Sequence, residues 1–236
     1  MTATDEFSND ALGDPGTEEF AAARAALVRE IEVQVRATKS YLGREELDPR
    51  VIAALGTVPR HEFVPGNQRS RAYDDDPLPI GYGQTISQPY IVAVMTDLLQ
   101  VFEGCSVLEI GAGSGYQAAV LGELCAEVYS IEIVEPLGEQ AAKVLEELGY
   151  ANVHVKTGDG YAGWPEQAPF DGIIVTAAAP YVPEPLIEQL KPGGRMVIPV
   201  GERASAQELL LLKKTPDGEV SRQTILPVRF VPFTRD

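Results

Sequence analysis

The chain has 236 residues, 44% of them hydrophobic and 23% charged, with 35 acidic against 19 basic side chains and a net charge of −16. That length suits one sizeable core, and the negative field repels phosphate backbones, which argues against a dedicated nucleic-acid binder. No apolar run reaches the roughly 18 residues of a membrane span and no signal-peptide pattern opens the chain, so a cytoplasmic location is expected.

In chain order, residues 1–16 are polar and acidic and end in Pro-Gly, which reads as a disordered tail. Thr17 is expected to cap a helix with Glu18 and Glu19 in its first turn. Leu27, Ile31 and Val35 then repeat on one face. A short helix follows from about Pro49 to Leu55. The stretch TVPRHEFVPGNQRSRAYDDDPLPIGYG reads as a long loop, with Asp74, Asp75 and Asp76 as a solvated turn. From Tyr90 the pattern becomes that of a helix, and strands and helices then alternate. Strands are expected over 105–110, 127–132, 152–156, 170–176 and 194–200, and helices over 115–125, 135–149 and 183–190. ELLLLKK and TILPVRFV flank TPDGE, which predicts a terminal β-hairpin. The expected fold is α/β and Rossmann-like, a mostly parallel sheet with an antiparallel C-terminal hairpin and N-terminal helices. One domain over 17–236 is expected, with helices and a loop (17–88) before the alternating core (89–236).

The chemistry starts at EIGAGSGY, residues 109–116. Gly111, Gly113 and Gly115 stand between a strand and a helix, where glycine permits a sharp turn and close approach of a ligand to the main chain. The spacing is G-x-G-x-G. A dinucleotide fingerprint would be G-x-G-x-x-G, so the loop suits a ligand without a pyrophosphate and disfavours a dehydrogenase. Glu132 ends the next strand, where a carboxylate can accept from both hydroxyls of a ribose. Asp159, in the GDG that ends the third strand, can accept from an exocyclic adenine amine. With Glu109 opening the loop, Ile133 after Glu132 and Gly160 after Asp159, the set describes an adenosine-type ligand, and S-adenosylmethionine fits. Cys105, Cys125, His61 and His154 fall into no metal-ligand spacing, so no metal is expected. Each cysteine reads as a small buried apolar residue.

The strings VPRHEFVP (58–65), LPIGYGQTISQPY (78–90), VLEIGAGSGYQAA (107–119), GDGYAGWPEQAPFDGIIVTAAAP (158–180), LIEQLKPGGRMVIPVG (186–201) and VRFVPF (228–233) resemble the protein-L-isoaspartate O-methyltransferase family from about residue 20 to the end. The first sixteen residues fall outside it. The glycine loop is generic to methyltransferases; the QTIS and PFDGIIVTAAAP segments are more specific.

The resemblance implies methyl transfer from S-adenosylmethionine to the free carboxylate of an L-isoaspartyl residue in a damaged protein. S-adenosylhomocysteine is the other product. The ester collapses to a succinimide, and hydrolysis returns some normal aspartate. Ser87 takes the active-site role, and Gln84, Thr85 and Ile86 belong to the wall over the cofactor. The substrate carboxylate is already ionised at neutral pH, so no general base is required and alignment is the task. The residues alone also allow Ser87 to be the N-cap of the helix starting near Pro89. The small loop TAAAP, 176–180, either lets a peptide approach or packs tightly below the sheet, and the C-terminal segment with Thr234 is expected to fold back over the cofactor. A monomer acting on protein or peptide substrates is expected. The alternatives are methylation of one Asp in a dedicated partner peptide and non-catalytic sensing of S-adenosylmethionine.

Overall fold

The computed structural model describes residues 15–202 and 206–235. The expected tail therefore lies outside the described residues through position 14. The first helix, α1 (Pro15–Ala37), already includes Thr17, so that residue does not cap it. Leu27, Ile31 and Val35 are buried as their spacing requires. Helices α2 (Lys39–Leu42) and α3 (Pro49–Thr57) follow. Asp48 caps α3 by accepting the backbone N–H of Arg50, with Pro49 in the first turn.

The long stretch expected as loop is more ordered than its Pro and Gly content suggests. Two 3-10 turns, Arg60–Phe63 and Gly66–Arg71, lead to a two-stranded antiparallel ribbon, β1 (Leu78–Gly81) and β2 (Gln84–Ile86). Gly81, Tyr82 and Gly83 turn the ribbon with three consecutive positive φ angles of 99°, 53° and 72°. Two glycines around one residue make that turn sterically accessible. These short elements have no apolar periodicity long enough to register in the sequence.

Next come α4 (Pro89–Leu99), β3 (Ser106–Ile110), α5 (Tyr116–Gly122), β4 (Glu127–Glu132), α6 (Glu135–Glu147), β5 (Val153–Thr157), β6 (Phe170–Val175), α7 (Glu184–Glu188), β7 (Leu190–Val200), β8 (Gln207–Lys214) and β9 (Val220–Val228). The seven-stranded sheet runs β5-β4-β3-β6-β7-β8-β9. Its first five strands are parallel, and β8 and β9 are antiparallel additions. The chain goes outward from β3 to β5, then returns to the other side of β3 with β6. This reversal opens a crevice at the carboxyl ends of β3 and β6, the place where open α/β sheets take ligands. Apolar clusters cover both faces of the sheet. Among the described residues no helix is long and apolar enough to cross a membrane.

Candidate active site

A cleft, partly open to solvent, lies at that crevice. Its floor is the glycine loop. Gly111 has φ of 96°, and a Cβ there would meet Thr176 Oγ1 at 2.5 Å. Thr176 Oγ1 in turn donates to the carbonyls of Gly111, at 2.6 Å, and Ile110, at 3.0 Å. Bare backbone is thus built into the cleft, with β6 clamped to the loop.

Gly111, Gly113, Glu132, Ile133 and Gly160 all line the cleft. Glu132 is 5% exposed. Its Oε2 accepts the Gly113 N–H at 2.7 Å and its Oε1 accepts the Val134 N–H at 3.0 Å. Each carboxylate oxygen keeps a free lone pair, so the acid can still accept from a diol. Gly160 is sterically enforced: a Cβ there would meet Ile110 at 2.3 Å and the Phe233 ring at 3.3 Å.

Three expected cofactor residues are not among the lining residues. Gly115 (φ of 88°) is the N-cap of α5, where a Cβ would press on Leu145 and Ala141 of α6 at 3.2–3.3 Å, so its smallness serves packing. Asp159 Oδ1 accepts the Tyr161 N–H at 2.9 Å, and its Oδ2 pairs with Arg235 at 3.2 Å. Glu109 is fully buried and accepts from the Ser130 hydroxyl. Its other oxygen has no partner among the described residues. Burial pushes the Glu109 carboxyl up to about 8, against the smaller lowering by the Ser130 bond. A neutral acid beneath the loop spares the charge an unsolvated cost.

The opposite wall is Gln84, Thr85, Ile86 and Ser87 from β2 and the turn after it. Ser87 does not cap α4. The N-cap position is Gln88, which makes no side-chain cap bond, and the first N–H of the helix, that of Tyr90, is taken by Asp75 Oδ1 at 2.8 Å. Asp75 Oδ2 also accepts from Gln88 Nε2 at 2.9 Å. Of the three consecutive acids, only Asp74 and Asp76 behave as a solvated turn; they are exposed and face Arg71. Ser87 is half-buried, and its hydroxyl has no hydrogen-bond partner among the described residues.

A second cavity adjoins the first and shares Thr85, Ser87, Thr176 and Val231 with it. Its remaining walls include Pro77, Ile91, Pro227 and Phe230, and its one charged lining residue is the exposed Arg229. Ser87 thus stands where the two cavities meet.

The C-terminal segment closes the first cavity. The Ala178 N–H donates to the Val231 carbonyl, and the Phe233 N–H to the Ala178 carbonyl, each at 2.8 Å. Val231 through Thr234 line the cleft as a result. The TAAAP loop splits its duties: Thr176 and Ala177 line the cleft, while Ala178 and Ala179 are buried, with Ala178 against the returning chain. Tyr116, Gln117 and Phe233 are lining residues that sequence reasoning did not single out. Tyr116 and Gln117 follow the glycine loop on the first turn of α5, and their position after G-x-G-x-G was the available signal. Phe233 had no local signal, because its place depends on pairing with a loop 55 positions earlier (Ala178).

Both cysteines are free and buried, as their type suggested. His61 packs on Phe20 and bonds Tyr73, and His154 pairs with Glu127, each away from the cleft lining. No group of three or more metal-ligating side chains occurs among the described residues.

The family profile for protein-L-isoaspartate(D-aspartate) O-methyltransferase matches residues 39–236. The chain is 60% identical over 215 residues to protein-L-isoaspartate O-methyltransferase 2 of Syntrophobacter fumaroxidans, covering 91% of this chain and 87% of that one. It is 61% identical over 210 residues to protein-L-isoaspartate O-methyltransferase 1 of Cupriavidus necator, covering 89% and 81%. A solved protein-L-isoaspartate O-methyltransferase superposes with a TM-score of 0.77 at 33% identity, over 89% of this chain and 65% of that longer one. A Plasmodium falciparum structure, described as a putative protein-L-isoaspartate O-methyltransferase with S-adenosyl-L-homocysteine bound, shares the fold with a TM-score of 0.71 at 24% identity, over 84% of this chain and 99% of that one.

Proposed function

The chain belongs to the protein-L-isoaspartate(D-aspartate) O-methyltransferase family, and from that premise we propose that it binds S-adenosylmethionine in the first cavity and an isoaspartyl peptide in the second, with Ser87 between them. The first cavity suits the adenosyl group: a carboxylate at a strand end, a glycine floor that admits no Cβ at Gly111, and no phosphate-type loop. Bound there, S-adenosylmethionine supplies an electrophilic methyl group to the free carboxylate of an L-isoaspartyl residue and leaves as S-adenosylhomocysteine, which begins repair of the damaged protein.

The observation that carries this reading is the unengaged Ser87 hydroxyl at the junction of two cavities. Glu132, braced by the Gly113 N–H, holds the ribose end, fixing the donor. Ser87 donates one neutral hydrogen bond to the acceptor carboxylate and sets which oxygen faces the cleft. Orientation is the main task, because the nucleophile is already an anion at neutral pH. A neutral donor restrains the carboxylate without quenching its charge as a cation in direct contact would. The C-terminal segment and the β1–β2 ribbon exclude water from two sides.

One domain over 17–236 and action as a monomer are part of the same proposal. The absence of a membrane-crossing helix among the described residues and two unpaired cysteines are in keeping with a cytoplasmic location. Ser87→Ala tests the reading. Single-turnover methylation of an isoaspartyl peptide is expected to fall by at least about 10-fold, with the Kd for S-adenosylhomocysteine nearly unchanged. Wild-type turnover with weakened cofactor binding would move Ser87 out of the acceptor site.

A further inference from the structure

The N-terminus of α4 is held by a residue fifteen positions away in sequence, and this bears on how Ser87 is placed. Pro89 has no N–H, so Tyr90 carries the first donor of the helix that needs a partner. Asp75 Oδ1 supplies that partner at 2.8 Å, and its charge sits at the positive end of the helix dipole. The other oxygen, Oδ2, takes the side-chain amide of Gln88 at 2.9 Å. The two bonds straddle Pro89 and fix the backbone immediately after Ser87. A local serine cap would have spent the Ser87 hydroxyl on the helix. With Asp75 in that role, the hydroxyl is left without a partner among the described residues.

The turn that carries Asp75 is itself anchored. Arg60 is fully buried, donates through Nε to the Ala72 carbonyl at 2.9 Å and through Nη2 to the Asp76 carbonyl at 3.3 Å. Its guanidinium lies over the Tyr116 ring, 4.8 Å from the centroid. Tyr116 lines the cofactor cavity. A continuous set of contacts therefore runs from the cofactor wall through Tyr116, Arg60 and the 72–76 turn to Asp75 and back to the segment bearing Ser87.

We propose that Asp75 is a positioning residue for methyl transfer: by capping α4 from the 72–76 turn and clamping Gln88, it frees the Ser87 hydroxyl and holds it at the junction of the two cavities. The proposal rests on Ser87 acting on the acceptor carboxylate. Asp75 itself touches neither ligand cavity.

The test is a double-mutant cycle on single-turnover methylation of an isoaspartyl peptide, using D75A, S87A and the double variant, with D75N as the conservative change. D75A is expected to lower the rate by about 10-fold or more, since displacement of a catalytic group by an ångström can cost about 100-fold. D75N retains an oxygen for the Tyr90 N–H and is expected to recover most of the rate. In the S87A background D75A is expected to cause little further loss, because the residue it positions is gone. The Kd for S-adenosylhomocysteine is expected to stay within about two-fold throughout. Equal losses from D75A in both backgrounds would mean that Asp75 acts by general stability, and the proposal would be overturned. If D75A does not fold, D75S keeps a short polar side chain in the turn; its loss of rate must likewise vanish in the S87A background. S87A with wild-type turnover would instead overturn the Ser87 reading, so the two failures are distinct.

Discussion

The Glu132 carboxylate accepts the Gly113 N–H at 2.7 Å, joining the end of β4 to the middle of the glycine loop. One acid therefore shapes the floor of the cleft before any ligand arrives and stands ready for a diol. The strand end and the loop form one rigid unit, which lowers the ordering cost of binding.

Replacing Glu132 with Ala removes both functions. S-adenosylhomocysteine affinity is expected to fall by about 1–3 kcal/mol through lost charge-assisted hydrogen bonds. Glu132→Gln keeps one acceptor and is expected to lie between wild type and Glu132→Ala. Titration calorimetry checks the order of the three, and unchanged affinity in Glu132→Ala would remove the residue from the site.

Gly111 and Gly43 both have positive φ, 96° and 69°, yet they should respond differently to alanine. A Cβ at Gly43 meets nothing within 4 Å, so only backbone strain of about 1 kcal/mol is expected. At Gly111 the new methyl group strikes Thr176 Oγ1. Thermal unfolding should show the larger loss for Gly111→Ala, and cofactor affinity should fall only there.

Glu109 gives a pH signature. Its carboxyl is raised from the ordinary 4.5 to about 8 by burial, so the folded chain binds this proton more tightly than the unfolded chain. The stability it contributes is fully present below pH about 4.5 and is lost as pH rises through about 8. Glu109→Gln is neutral at every pH and should flatten the urea midpoint across that window. A slope identical in wild type and variant would show that Glu109 is ionised in the fold.

Arg229 is the one charged residue lining the second cavity of a chain with net charge −16. An anionic acceptor approaches against the overall field, and a local cation offsets that repulsion. Arg229→Ala is expected to raise KM for an isoaspartyl peptide several-fold while kcat holds, with a weaker salt dependence. Steady-state kinetics at two ionic strengths check this; an unchanged KM would place the peptide elsewhere.

The alternating half of the fold was legible because its elements are long enough to show a period. Strands β3, β4 and β6 and helix α6 lie within a residue or two of their expected bounds. The β1–β2 ribbon was not, since strands of four and three residues carry no period. Within the site, Gly111, Gly113 and Glu132 follow from motif spacing, and the structure brings them together. Gly115 of the same loop and Asp159 of the GDG segment lie outside the cleft lining, a distinction set by the residues that surround them: Leu145 and Ala141 for one, Tyr161 and Arg235 for the other. The role of Asp75 was hidden for the same reason. Its partner, Tyr90, lies beyond the reach of any local pattern.

Methyl transfer from labelled S-adenosylmethionine to two peptides that differ only in one L-isoaspartyl or L-aspartyl residue tests the central claim most directly. Base-labile label on the isoaspartyl peptide alone is the expected result. Equal labelling of both peptides, or none on either with the cofactor bound, would contradict it.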